Sequence, residues 1–301
     1  MRVRRYLLFA GLACAAFAAI GACVGDDPAP GGESTPDANN SADGNNGSDG
    51  STADGGSDSG TDSGADSGPQ RFCDKQTSPA DASDFFCADF DGTNFEQGFL
   101  DASVTDGGTL TKDTTLFFSS PNSAHSAIAS IAPASAYLSW QRGGPNVVNR
   151  ITLSAAIKED FVVTLGAKNG VIGLLQFNIG PAVRQSNVSF VYAFNQTNAS
   201  GGGTFSGYAL MVILPALSPS FYPTGVLAQT GAFTTVTLSY DGTLHHAEVL
   251  YNGSSVTLQP YASFSGNLAV QALVGGKSVN IGTTQLEGQW NIDNVVFAAF
   301  P

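Results

Sequence analysis

The chain has 301 residues, four cysteines, and 25 acidic against 12 basic side chains, for a formal net charge of −13. That balance, with no basic stripe anywhere, excludes nucleic acid as a partner. The charge is also unevenly spread: ten acidic residues fall between Asp26 and Gln70 and three arginines in the first five positions, so the chain from Arg71 onward is mildly acidic, with 15 acidic and nine basic residues.

Residues 1–22 read as a signal peptide, with arginines at 2, 4 and 5 followed by an apolar run from Tyr6 to Ala22 before the composition turns polar at Asp26. The junction Ile20-Gly21-Ala22-Cys23 resembles the lipobox of bacterial lipoproteins: a branched residue, two small residues, and the cysteine that is acylated and becomes the new N-terminus. The resemblance implies lipidation of Cys23 and a lipid bilayer as a partner through that cysteine. It also implies extracytoplasmic localisation on the cell envelope, and Val24 in place of aspartate points to the outer membrane or cell surface. The competing readings, cleavage after an A-x-A site or an uncleaved signal anchor, leave Cys23 without a role. Under the lipobox reading the cysteines sort as Cys14 discarded, Cys23 acylated, and Cys73 and Cys87 as a disulfide pair. Arg4-Arg5 lacks the upstream Ser/Thr of a twin-arginine signal, so unfolded export is expected, after which the bridge forms outside the cytoplasm.

From Cys23 to Gln70 a tether follows, built almost wholly of Asp, Gly, Ser, Asn, Ala, Thr and Pro and carrying no aromatic residue. Such a composition cannot bury enough apolar surface to offset ordering entropy, so disorder is expected. The tetrads Ser57-Asp58-Ser59-Gly60, Thr61-Asp62-Ser63-Gly64 and Ala65-Asp66-Ser67-Gly68 lack the nonapeptide glycine pattern of a calcium β-roll. As a flexible coil the tether spans roughly 35 to 40 Å.

Residues 71–301 suffice for one well-buried all-β domain. Strand-like runs occupy Val171 to Ile179, Val188 to Phe194, Tyr208 to Leu214, Val236 to Tyr240, Ala247 to Tyr251, Leu268 to Val274 and Ile292 to Phe297, and no stretch sustains helical periodicity. Asn252-Gly253 between two alternating runs is the strongest hairpin signal. Many short strands separated by turn residues point to a sandwich or barrel.

Four segments carry a further resemblance: Phe86-Cys87-Ala88-Asp89-Phe90-Asp91-Gly92, Ser120-Pro121-Asn122-Ser123, Phe233 to Asp241 continuing through Asn252-Gly253, and Trp290 to Phe297. In that order they resemble the concanavalin A-like jelly-roll sandwiches, specifically the laminin-G-like domains of bacterial secreted proteins. The resemblance implies two antiparallel sheets, a concave ligand face, and opening and closing strands that lie side by side. Asp89 and Asp91 share a face of the opening strand, and that neighbourhood would bring Asp293 near, where several related sandwiches hold a structural calcium through carboxylate and backbone oxygens. The alternative is that these acids are strand-end residues.

Retaining glycosidases need two carboxyls about 5 Å apart. The strand best placed for that role reads Leu174-Leu175-Gln176-Phe177-Asn178, with amides at the alternating polar positions. Glu159 and Asp160 are adjacent and face opposite ways. The neighbouring His245 and His246 also point apart, which disfavours metal chelation, and no G-x-S-x-G elbow is present. The candidate ligand residues are therefore Trp140, Arg142, Gln176, Asn178 and Tyr192, with Tyr208 beside them: aromatic faces stack on sugars, while amides and arginine read hydroxyls. Tyr192 and Tyr208 also run in phase with core positions such as Phe190 and Leu210. The leading expectation is a non-catalytic module that binds carbohydrate or an extracellular protein. The alternatives are a polysaccharide hydrolase or lyase drawing on Glu159, Asp160 or Glu287, and a structural envelope protein. No cofactor is required beyond the candidate calcium.

Overall fold

The structure, a computed structural model, describes residues 71–301 apart from 95, 97, 106, 130–133, 143–147, 165–168, 181–185, 216, 227–229, 245, 259–268 and 280–285. The signal peptide, Cys23, the tether and His245 lie outside the described residues.

A short 3-10 turn (Cys73–Lys75) leads into β1 (Asp84–Ala88), β2 (Asp101–Val104), β3 (Gly108–Asp113), β4 (Ser123–Ile128) and β5 (Ser135–Gln141). The long β6 (Arg150–Thr164) is followed by the meander β7 (Gly170–Ile179), β8 (Ser186–Thr197), β9 (Thr204–Ile213) and β10 (Ser220–Pro223). A second meander, β11 (Phe233–Asp241), β12 (His246–Tyr251) and β13 (Ser254–Leu258), precedes β14 (Val270–Ser278) and β15 (Leu286–Phe300).

The strands form two sheets. The first has the order β13-β12-β11-β6-β15-β4-β3, with β1 also pairing β15; the second has the order β10-β9-β8-β7-β14-β5-β2. Every named pairing is antiparallel. The chain repeatedly leaves one sheet for the other, from β4 to β5, β5 to β6, β6 to β7, β13 to β14 and β14 to β15. This is the jelly-roll sandwich of two antiparallel sheets that the sequence predicts. The opening and closing strands are neighbours, Phe86 opposite Phe297, and Cys73 and Cys87 form a disulfide.

Alternation explains which face each strand buries. Ile151, Leu153, Ala155 and Ile157 of β6 point between the sheets and meet Leu175, Phe177 and Ile179 of β7 and Phe190 of β8 in one apolar core. In β15 the inward set shifts phase: Trp290 and Ile292 precede it, Val295, Phe297 and Ala299 follow, and a register break lies between Asp293 and Val296. Asn294 takes φ 51° there, a conformation asparagine tolerates better than most residues. At the β12–β13 hairpin Asn252 and Gly253 both have positive φ, as a type I′ turn requires.

Candidate functional site

The outer face of the second sheet carries a ladder of side-chain amides. Gln176 and Asn178 stand on β7, Asn187 and Ser189 on β8, and Gln271 on β14, all at positions that alternate with core residues. Gln176 Nε2 donates to Asn178 Oδ1 at 2.6 Å, and Asn187 Nδ2 donates to the same oxygen at 2.9 Å. Asn178 Nδ2 in turn donates to Gln271 Oε1 at 2.9 Å, and the Ser189 hydroxyl donates to Asn187 Oδ1. Asn178, Asn187 and Gln271 are half-buried, whereas Gln176 and Ser189 lie beneath them. Each rotamer is fixed by its neighbours while amide hydrogens remain free at the surface.

Two further features share this face. Tyr137 of β5 and Lys277 of β14 are both half-buried, with Lys277 Nζ 5.2 Å from the ring centre of Tyr137. Between Lys277 and the amides lies Gly173, where an added Cβ would stand 3.6 Å from Gln176 Oε1 and 3.8 Å from the Lys277 carbonyl oxygen. On the other side, Val171, Val191, Ala193, Ala209, Met211 and Phe221 form a second apolar cluster, separate from the inter-sheet core. Of the described residues on this face, Asp101 at the β2 edge supplies the acid and Lys277 the base.

Gln176 and Asn178 therefore sit together on the exposed side of the sheet, but the other candidates do not join them. Trp140 turns inward, its ring centre 4.3 Å from that of Phe297 and 6.0 Å from that of Phe86. Arg142 is buried and pairs through Nε with Asp84. Tyr192 and Tyr208 pack between the sheets with ring centres 5.5 Å apart, in phase with Phe190 and Leu210. Asn187, Ser189, Gln271, Tyr137 and Lys277 were not singled out from the sequence. Their polar-apolar alternation is the signal that could have found them, once the strand order makes β5, β14, β7 and β8 neighbours.

The carboxyls invoked for hydrolysis lie elsewhere. Glu159 is buried between the sheets, where the Tyr208 hydroxyl donates to it at 2.5 Å and Trp290 Nε1 donates to the Tyr208 oxygen at 3.2 Å. Burial raises the Glu159 pKa, against the lowering effect of the Tyr208 bond. Asp160 pairs with Lys158 and lies 4.0 Å from His125. Glu287 stands opposite Val163 near the start of β15. None of the three is on the amide face, and no two described carboxyls there have the spacing a retaining glycosidase needs.

Asp89, Asp91 and Asp293 gather at one corner of the domain, but N–H groups already occupy most of their oxygens. Asp89 accepts from the backbone of Cys73 and Asp91. Asp293 accepts from Phe118 at 2.9 Å, Ser119 at 2.8 Å and Asn294 at 2.7 Å. Burial, together with the Asp91 charge, pushes Asp293 up to about 7 despite those three bonds. Asp91 Oδ2 alone is buried without a partner, and the nearby Gly92 carbonyl accepts from Lys112 Nζ at 2.9 Å. Calcium takes six to eight oxygens, and among the described residues no group of three acidic, histidine or cysteine side chains could hold a metal. The corner as arranged does not fit the ion.

No protein-family model matches the chain, and no curated protein matches it. Among solved structures it is similar to the endo-β-1,4-glucuronan lyase from the fungus Trichoderma reesei, at 12% identity over 72% of this chain and 95% of that one, with a TM-score of 0.45. It is similar to the marine alginate lyase AlyA1 from Zobellia galactanivorans at 15% identity, over 64% and 83%, with a TM-score of 0.41. Lectin II from Ulex europaeus matches at 8% identity, over 73% and 100%, with a TM-score of 0.40. The fold assignment rests on the strand order described above.

Proposed function

We propose that this chain is a lipid-anchored envelope protein whose outer amide face binds glycan without catalysis. The observation that carries the reading is the ladder of Gln176, Asn178, Asn187 and Gln271 across three adjacent strands. A sugar presents hydroxyls that both donate and accept, and a side-chain amide matches them with both kinds of group. Because these amides are held by one another, little rotamer freedom remains to be lost on binding. Tyr137, half-buried on the same face, supplies an aromatic surface of the kind that the C–H faces of a sugar ring prefer.

The first test is a glycan array probed with the full-length chain. On the best glycan found, Asn178→Ala and Gln271→Ala each weaken binding by about 3- to 10-fold, the value of one or two neutral hydrogen bonds. Unchanged affinity in both variants rejects this face as the site. Membrane attachment is supported by the Ile20-Gly21-Ala22-Cys23 motif, since stable anchoring needs more than one acyl chain and a lipoprotein cysteine carries two or three. Labelled fatty acid is incorporated by the native chain and lost in Cys23→Ser.

A further inference from the structure

The connection from β3 to β4 exposes three successive apolar side chains, Leu116, Phe117 and Phe118, at 39%, 37% and 55% of their surfaces. Such a turn would ordinarily fold its apolar groups inward, but here a polar scaffold holds them out. Asp113 Oδ1 accepts from Thr115 N at 2.8 Å and Leu116 N at 3.1 Å, and Asp113 Oδ2 accepts from Asn291 Nδ2 at 2.9 Å. The Ser123 hydroxyl donates to the Leu116 carbonyl at 2.6 Å, and Asp293 takes the backbone N–H groups of Phe118 and Ser119. The far side of Phe118 meets Phe233, ring centres 5.8 Å apart. Asn291 and Asp293 stand on the outer face of the first sheet, because Trp290 and Ile292 point inward. The prong therefore lies on the side of the sandwich opposite the amide face.

The chain from Cys23 reaches the domain at this same corner. Cys73 N donates to Asp89, the Arg71 charge acts on Asp91, and Asp91 in turn holds the backbone of Asn122 at the end of the turn. We propose that the Leu116–Phe118 prong rests in the headgroup–acyl boundary of the bilayer to which Cys23 is tied, so that the domain lies on its first sheet with the amide face turned away from the membrane. The proposal rests on the acylation of Cys23. Three partly exposed side chains cannot hold a protein on a membrane alone, but a covalent link through the residues between Cys23 and Arg71 makes the second contact intramolecular, at an effective concentration on the order of millimolar. A bilayer boundary is also the partner whose shape adapts to a prong. A second copy is a poorer occupant: the apolar cavity lined by Val212, Leu214 and Leu217 holds about 20 Å³, far below the ~150 Å³ that accommodates a benzene ring. The larger cleft, about 370 Å³, is lined by Asn94, Glu96 and Asp101 together with Phe99, Leu100 and Ala102, and the surface it presents is mostly polar.

The test uses the full-length protein in phosphatidylcholine vesicles, with an environment-sensitive fluorophore on Ser120→Cys beside the prong or on Gln141→Cys at the amide face. Both positions are exposed, and the native cysteines of the domain are bridged. Lipid-borne quencher is expected to quench the Ser120 label and spare the Gln141 label. Phe117→Ser with Phe118→Ser returns the Ser120 label to its aqueous signal without changing fatty-acid incorporation or the melting temperature. A Ser120 label that stays aqueous at saturating lipid overturns the proposal, whether or not Cys23 is acylated. A label that changes with protein concentration in the absence of lipid assigns the prong to a second copy and also overturns it. Fatty-acid labelling that fails in the native chain overturns the anchor reading and this proposal with it, whereas an aqueous Ser120 label on acylated protein overturns this proposal alone.

Discussion

Glu159 is a carboxyl facing apolar space, bonded by a tyrosine hydroxyl that is itself bonded by an indole N–H. Burial places its folded pKa above the ordinary value of 4.5. The folded state then binds the proton more tightly than the unfolded chain does. This contribution to stability is fully present below about 4.5 and is lost as pH rises through the folded pKa. Asp91 and Asp293, raised by burial as well, slope the same way. Glu159→Gln keeps an acceptor for Tyr208 and removes one titrating group. Urea midpoints measured from pH 4 to 8 should therefore fall less steeply in that variant, by at most about 1.4 kcal/mol per pH unit, the limit for one proton. An unchanged slope would mean that Glu159 titrates as it does in the unfolded chain.

At the scale of elements, the strands most legible in the sequence were those whose outward positions are polar and whose inward ones are large, such as β8, β11 and β12. The longest strand of the first half, β6, is hard to read from the sequence because Ala155 and Ala156 weaken its alternation and Lys158-Glu159-Asp160 interrupt it with charge. The β3–β4 prong was illegible for a different reason. Leu116-Phe117-Phe118 carries no periodicity, and its orientation is set by Asp113, Asn291 and Asp293, two of which lie more than 170 residues away. The disulfide could be read from the cysteine count once Cys14 and Cys23 are set aside. It closes a loop with a sequence separation of 14, and the Cys73→Ala, Cys87→Ala double variant should lose about 3 kcal/mol by the loop-entropy account, read as a lowered denaturant midpoint. A loss near zero would show that the lead-in contributes nothing to the fold.

At the scale of the whole molecule, the two outer faces of the sandwich differ in chemistry. One carries amides, Tyr137 and Lys277; the other is lined by hydroxyl-bearing residues such as Thr235, Thr237 and Ser239, with the apolar prong at one corner. The fold class could be read from local patterns, because strand alternation is local. Half of the amide ladder could also be read, since Gln176 and Asn178 stand two apart on one strand. Asn187 and Gln271 could not, because only the strand order joins them to it. Trp140, a conspicuous candidate by residue type, belongs to the core because its strand puts that position in phase with Leu138. The most direct test of the glycan-binding claim is to follow the side-chain amide NH₂ resonances of the ¹⁵N-labelled chain during titration with its array-selected oligosaccharide. The account predicts saturable shifts at Asn178, Asn187 and Gln271 and none at Asn291, which is buried on the other sheet. Shifts confined to residues away from the amide ladder would contradict it.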